Sequence, residues 1–433
     1  MLLLGDKVRA LRKNKNISQL DLAAIIKSKA NKVVDVEAGR DEYSPKHIEA
    51  IKELFDIVGM PLDDSNRPAF VRRLYLWSAY ARDERMRNEA KKIRDEAAKS
   101  INLEPCDYNL AMLYKLFDVK TLLAENNLTE AGDKFELLKN EINKLNTENL
   151  FHYHSCEGYI ALRKEQYEAS LDCFLKANEI LANHKNFLPE GDKTIEWHYY
   201  TIAECYNFIQ IPKRAKSFLL KVKEVYSENI VDDMGFHIDN MLACNHIKLN
   251  EIKEAKILLS KCLMKAQSIN ITYLIGIAMC SFGCLYKRTE DWKAASECFD
   301  KAIDHFIEGS DIYLANLYNK IFCIINIREF SKAQKLLERA RIRYGLEGQW
   351  AVYFEALWHY MVIRRRISVR NNKSSEYIET VAIPYFEKNY EYFFIIDYCR
   401  LLEIHYDEVK SQKNSLLMSK KIKDVYERCY INN

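Results

Sequence analysis

From about residue 70 onward one pattern returns every 38 to 45 residues, and a chain built on such a return has few folds open to it. The copies carry Ala131/Phe135, Ser170/Phe174, Ala215/Leu219, Ala255/Leu259, Ala295/Phe299 and Ala333/Leu337. Ahead of them stand the small or apolar residues Val119, Gly158, Ala203, Ala243, Gly283 and Ile321. Gly283, Tyr286, Trp292, Ala295 and Phe299 make the strongest copy. A small side chain where two helices cross lets their axes approach, and an aromatic fills the gap beside it. One such hairpin cannot bury its apolar face alone, so the copies must stack on one another.

Composition agrees with an all-α chain. Glycine (12) and proline (7) are too scarce in 433 residues for a turn-rich β fold, while 48% hydrophobic and 29% charged residues fit a packed, soluble protein. No apolar run is long enough to cross a bilayer. Met1-Leu2-Leu3-Leu4 is too short for a secretory core, with Asp6 and Lys7 close behind, so a cytoplasmic protein without membrane contact is expected. Twelve cysteines include no Cys-x-x-Cys pair and fall at equivalent repeat positions (Cys173 and Cys298, Cys205 and Cys323, Cys244 and Cys284). They read as small apolar fillers in a reducing compartment. In His152-x-His154-x-Cys156, the one ligand-like cluster, helical spacing turns the middle residue away, so no metal is expected. No phosphate loop or nucleophile elbow is present, and neither catalysis nor a cofactor is expected.

The first sixty residues follow a different pattern. Leu4, Val8 and Leu11 share one helical face, with Lys7, Arg9 and Arg12 around the rest. Ser18 is a good N-cap for a second helix carrying Leu22, Ala23 and Ile26. Ser28 is expected to cap a third helix through Glu37, and Gly39 to end it. A fourth helix, about His47 to Val58, brings Ile48, Ile51, Leu54 and Phe55 to close a small core. This spacing is that of a helix-turn-helix. The segment resembles the lambda-repressor-like, or Xre-type, family in Gly5, Val8, Leu11, Arg12, Ser18, Gln19, Leu22, Ala23, Val33, Val36, Glu37, Gly39 and Leu54. Lys27 departs from that pattern where a turn glycine is usual, and Asp35 puts an acid on the reading helix. The resemblance implies DNA contacts by Gln19, Lys29, Asn31 and Lys32, flanked by Arg12 and Arg40. Lysine can donate to guanine and asparagine can pair with adenine. A net charge of only +3 means that any DNA contact is a local patch.

Pro61 to Pro68 reads as a polar linker between this head (1–60) and the array (69–433), which opens with a hairpin from Phe70 to about Ser100. The array resembles the tetratricopeptide repeat, implying a right-handed superhelix with a concave groove. Trp350 to Arg366, Tyr377 to Lys388, Tyr392 to Tyr406 and Ser415 to Tyr430 read as four further helices. One position beyond the packing residues lie Tyr200, Glu204, Asn207 and Phe208, then Asn240, Cys244 and Lys248, then Lys287 and Arg288, then Tyr318, Phe322 and Asn326. Asparagine amides there would hold a peptide backbone, and Lys248, Lys287 and Arg288 a carboxylate.

An Xre-like head joined to such an array resembles the RRNPP group of Gram-positive peptide-pheromone receptors. The resemblance implies a quorum-sensing transcription regulator. Its implied partners are a short re-imported signalling peptide, a palindromic double-stranded operator and a second copy of the chain. Two alternatives stand beside this reading. One is a modulator of a response regulator acting through Phe70 to Ser100, with Arg72, Arg73, Arg82 and Glu84 exposed. The other is a scaffold whose groove binds a protein tail.

Overall fold

The computed structural model describes residues 4–55, 67–82, 86–100, 108–184, 187–189, 192–226, 233–344 and 348–431, and among these it contains helices and no strand. The chain divides into two compact units, Met1–His198 and Tyr199–Asn433.

The first unit opens with α1 (Leu4–Asn14), α2 (Gln19–Ile25), α3 (Ala30–Glu37) and α4 (Pro45–Leu54). Ser18 caps α2 as expected, its Oγ accepting from the Asp21 amide at 3.1 Å while Asp21 answers the Ser18 amide. Ser28 does not cap α3. Lys29 holds that position without a side-chain bond. The helix does run through Glu37, as expected. Lys27 makes the turn between α2 and α3 in the left-handed region, at φ 54°. Gly5 is required where α1 meets α3, since a Cβ there would lie 1.8 Å from the Val36 carbonyl oxygen.

Val8, Leu22, Val33, Val36, Ile51 and Phe55 form the expected core, with Ile48 and Leu54 packed against it. The side chains of Leu4 and Lys7, together with Val58, Pro61 to Asn66 and Glu84, lie outside the described residues. The core of the head does not stop at Phe55. It continues into Leu74 and Trp77 of α5 (Arg67–Tyr80) and into Leu110, Leu113 and Phe117 of α7 (Tyr108–Ala124), with α6 (Arg87–Ser100) between them. The unit then adds α8 (Leu128–Leu138), α9 (Thr147–Arg163) and α10 (Tyr167–Asn183). The boundary between the units falls within α11 (Thr194–Phe208).

The second unit continues with α12 (Pro212–Val225), α13 (Met234–Lys248), α14 (Ile252–Ser268), α15 (Thr272–Arg288), α16 (Trp292–Ile303), α17 (Asp311–Asn326) and α18 (Phe330–Tyr344). It ends with α19 (Gln349–Arg365), α20 (Asn372–Tyr377), α21 (Ile383–Lys388), α22 (Tyr392–Glu408) and α23 (Gln412–Tyr426). The helix expected from Tyr377 to Lys388 starts earlier, and its two α segments are joined by a π segment at Ile378–Ala382. Pro384 follows that segment, and its missing N–H fits the local break in hydrogen bonding.

The repeat pattern maps onto packing. All twelve anchor residues are buried, and so are the six residues ahead of them, each twelve positions upstream. In four of the six pairs size complements size: Gly158 faces Phe174 and Gly283 faces Phe299, whereas Ala203 and Ala243 precede Leu219 and Leu259. A Cβ on Gly283 would stand 2.6 Å from the Phe299 ring. Gly283→Ala is therefore expected to destabilise the second unit by about 1–3 kcal/mol through overpacking, read from the midpoint of urea unfolding.

The turns inside the hairpins explain how so few glycines suffice. Asn126, Glu165, Gln210, Asn250, Glu290 and Arg328 each take φ between 59° and 65°, the left-handed position that commonly ends a helix. Each time the next amide reaches back to a carbonyl five residues earlier, as in Gln166 to Ala161 at 3.0 Å and Asp291 to Tyr286 at 2.9 Å. The closing hydrogen bond and the stacked helices hold these non-glycine residues there against a modest steric cost.

Candidate ligand groove and nucleic-acid face

The head presents α3 with Lys29 and Asn31 exposed at its start. Their neighbours are less free. Lys32 Nζ is paired with Asp41 at 2.6 Å, and Arg40 donates to Asp35 at 2.9 Å. Asp35 of α3 thus holds Arg40. Arg12 departs from the expected role. It is only 8% exposed, with Nε and Nη2 donating to Glu37 Oε1 and Oε2 at 2.8 and 2.9 Å, and Nη1 to the Ile17 carbonyl at 2.7 Å. It joins α1 to α3 from inside the head. Gln19 joins the same network, its Nε2 donating to Glu37 Oε2 at 2.8 Å, which leaves the amide oxygen to meet a ligand. Fixed-distance contacts between helices decide these roles, and no local sequence signal separates Arg12 from an exposed arginine.

In the second unit, the side chains expected in a groove divide into two groups. Cys244, Lys248, Lys287 and Arg288 line a cavity of about 310 Å³ together with Gln210, Trp292, Asn319, Glu391, Phe394, Asp397 and Arg400. Four atoms on or near this side are buried without a hydrogen-bond partner among the described residues: Asn207 Nδ2, Gln210 Oε1, Asn240 Oδ1 and Arg288 Nε. Tyr200 and Glu204 are half-buried on the same helix as Asn207. Burial raises the Tyr200 hydroxyl well above its ordinary range, so it stays protonated and able to donate.

Tyr318, Phe322 and Asn326 do not belong to a free surface. Tyr318 is 1% exposed and bonded to the Tyr398 hydroxyl at 2.9 Å, and Phe322 is likewise 1% exposed. Asn326 donates to the Phe322 carbonyl at 2.9 Å and accepts from the Tyr360 hydroxyl at 3.1 Å. The carboxy-terminal helices cover this stretch of α17, and the repeat pattern upstream carries no sign of that cover.

The cavity is electrostatically mixed. Lys287 Nζ lies 3.1 Å from Asp397 Oδ2, 4.4 Å from the centre of the Phe322 ring and 5.3 Å from that of Phe394. Burial works to lower its ammonium, but Asp397 outweighs that and leaves it raised. Lys248, within 3.5 Å of Asn207 Oδ1, is lowered by burial. Burial raises the Glu391 carboxyl, against the pull of Tyr353, Lys248 and Lys287. Asp397 and Glu391 lie more than a hundred residues beyond Lys287, outside the repeat, so spacing could not reveal them. An arrangement of cations, aromatic faces and unpartnered amides suits a ligand with backbone N–H and C=O groups and at least one carboxylate.

No metal-holding group of three or more His, Cys, Asp or Glu occurs among the described residues, and no described helix is long and apolar enough to cross a membrane. No family model and no curated protein matches the chain. Its fold is similar to solved structures of peptide receptors. The apo form of the quorum sensor NprR from B. thuringiensis aligns with a TM-score of 0.65 at 15% identity, covering 84% of this chain and 99% of that one. NprR in complex with its cognate peptide NprX aligns at 0.61 and 17%, covering 81% and 98%. A Rap protein complexed with competence and sporulation factor aligns at 0.64 and 14%, covering 83% and 98%. At such identities the likeness establishes the helical-repeat fold.

Proposed function

We propose that this chain is a cytoplasmic, peptide-controlled transcription regulator. In this reading a short signalling peptide binds the second unit beside Lys248, Lys287 and Arg288. The head (1–60), joined by 61–68 to the array (69–433), reads an operator through Lys29, Asn31, Lys32 and the Gln19 oxygen. One observation carries the peptide assignment: four buried polar atoms, in Asn207, Gln210, Asn240 and Arg288, have no partner among the described residues. Such atoms cost about 1–3 kcal/mol each when unsatisfied, and a peptide backbone supplies both the donors and the acceptors they lack. The chain acts by binding rather than catalysis, as a homodimer whose two heads meet half-sites of a palindrome roughly 34 Å apart or a multiple of it. The peptide controls DNA only by binding one arrangement of the dimer better than another.

Asn240→Ala is expected to weaken peptide binding by at least about 1 kcal/mol, measured by calorimetry with the tightest binder from a library of short synthetic peptides. Asn31→Ala is expected to weaken operator binding and leave peptide binding intact. Unchanged calorimetric affinity in the first variant would remove the groove assignment, and unchanged operator affinity in the second would remove the head. A second reading, control of a response regulator through α5 and α6, draws on the likeness to a Rap protein and on the exposure of Arg72 and Arg73. Capture of purified receiver domains by the full chain, lost on reversing both arginine charges, would favour it.

A further inference from the structure

Seven described cysteines (Cys156, Cys173, Cys205, Cys262, Cys323, Cys399 and Cys429) are buried, as expected of small apolar fillers. Cys244, Cys280 and Cys284 are different. All three are half-buried and stand together on α13 and α15. Cys280 and Cys284 lie one turn apart on the same face of α15, since side chains four residues apart in a helix stack one above the other. Cys244 and Cys284 line the cavity, and Cys244 Sγ is 3.6 Å from Ser281 Oγ.

A reactive thiol needs a nearby cation to hold the thiolate and an open path for the reagent. Cys284 has both. Lys287 follows one turn later on its helix, Lys248 comes from α13, and the cavity leads to the sulfur. Of the acids on the opposite wall, Asp397 is paired with Lys287 and offsets part of that lysine's charge, burial biases Glu391 toward its neutral form, and Lys248 adds a second cation. Ionisation sets Cys284 apart even from its half-buried neighbours, since burial raises Cys244 as well. Burial pushes Cys156, Cys262, Cys323 and Cys399 up to about 12. A hydrogen bond from Cys280 draws Cys284 down to about 7 against the opposing effect of burial, with help from Lys287 and Lys248, and Cys280 rises in turn.

We propose that Cys284 is a covalent modification site at which a hydroperoxide oxidises the thiolate to a sulfenic acid inside the cavity. The thiolate sulfur attacks one peroxide oxygen. An S–O bond forms as the O–O bond breaks, sulfur is oxidised by two electrons, and the alkoxide that leaves takes a proton from solvent to become an alcohol. Cys280, as hydrogen-bond donor to Cys284, is the positioning residue. The site stands on residues of the cavity alone and does not depend on the identity of the ligand that fills it.

The deciding measurement uses the wild-type full chain with limiting iodoacetamide over a series of pH values, followed by peptide mass spectrometry. At pH 7 Cys284 is expected to be alkylated about ten-fold faster than Cys244 or Cys280, with half-maximal rate near neutrality rather than at an ordinary thiol pKa of about 8.5. After treatment with tert-butyl hydroperoxide, a dimedone-type probe is expected to mark Cys284. C280A, which removes the donor, should slow alkylation at pH 7 and move its midpoint upward, whereas C280S, which keeps a hydroxyl donor, should not. Equal alkylation of the three cysteines, or a dimedone adduct elsewhere and none on Cys284, overturns the proposal. So does a folded C280A protein with an unshifted midpoint. The wild-type measurements decide the matter even if that variant does not fold.

Discussion

Glu37→Ala is expected to unfold the amino-terminal head at far lower urea than wild type, and with it to abolish the operator binding proposed for that head. Arg12 and Glu37 form a two-bond pair at 2.8 and 2.9 Å, at 8% and 4% exposure, and Glu37 also receives Gln19. The pair itself adds little net stability, because two charges were taken out of water to make it. Removing one member is another matter. It leaves a buried guanidinium with no counter-charge, at a cost of about 3–5 kcal/mol. The raised Arg12 ionisation, held mainly by its hydrogen bond to Glu37, shows that the guanidinium stays charged there. The double variant Arg12→Met, Glu37→Leu is expected to recover most of the loss, since an apolar pair of similar volume fills the same space without the desolvation cost. Circular dichroism over a urea series checks both. A single-variant loss below about 1 kcal/mol would falsify the account of Arg12 as an internal strut.

The second large effect is a loss of stability in acid that originates in the first unit. Lys120 of α7 meets His152 Nδ1 of α9 at 2.8 Å, His152 Nε2 meets the Tyr75 hydroxyl of α5 at 2.9 Å, and Tyr75 donates to Glu148 at 2.9 Å. Tyr75 gives its proton to a carboxylate, so it accepts from His152 Nε2–H, and Nδ1 must then accept from Lys120. The chain of bonds therefore works only with a neutral imidazole. His152 is 1% exposed and lowered well below the usual histidine range by burial, with Lys120 adding to it. His198, at 3% exposure, is lowered to about 3 for the same first reason.

The sign of the effect follows from proton counting. Above an unfolded pKa of about 6.5, neither state protonates these rings. Below it the unfolded chain binds protons that the native state refuses, so stability falls with pH at up to about 1.4 kcal/mol per unit for each ring. At pH 5 that amounts to about 2 kcal/mol for each ring and about 4 kcal/mol for both. Glu148, raised by burial, binds its proton earlier in the native state and returns part of this loss. Urea unfolding at pH 7 and pH 5 measures the difference. His198→Phe is expected to flatten the dependence by about half while the Phe151 and Phe174 rings beside that position continue to pack. A pH slope identical in wild type and variant would assign the acid loss to other groups.

These cases also separate the legible from the hidden. The six hairpins were legible because the rule that made them is local: one small residue, one anchor twelve positions later, and a turn at each return. The head was legible for the same reason, in Ser18 as a cap and Val8, Leu22, Val33 and Ile51 as one core. Lys248, Lys287 and Arg288 share one cavity wall, and helical periodicity is what set them on a common face of their repeats. Tyr318 and Asn326 obeyed the same periodicity and still went elsewhere, because α19 and α22 supply Tyr360 and Tyr398 to them from outside the repeat.

What the sequence by itself determined is the all-α repeat, its turns and the identity of the packing residues, since each depends on neighbours within about forty positions. Only the tertiary structure decided that Arg12 is internal, that Asp397 pairs with Lys287, and that a lysine, a histidine and a tyrosine from three helices form one chain of hydrogen bonds. The physical reason is distance along the chain. Burial and pairing of polar groups depend on which helices meet, and that is settled by the summed packing of the whole fold rather than by any short stretch of residues.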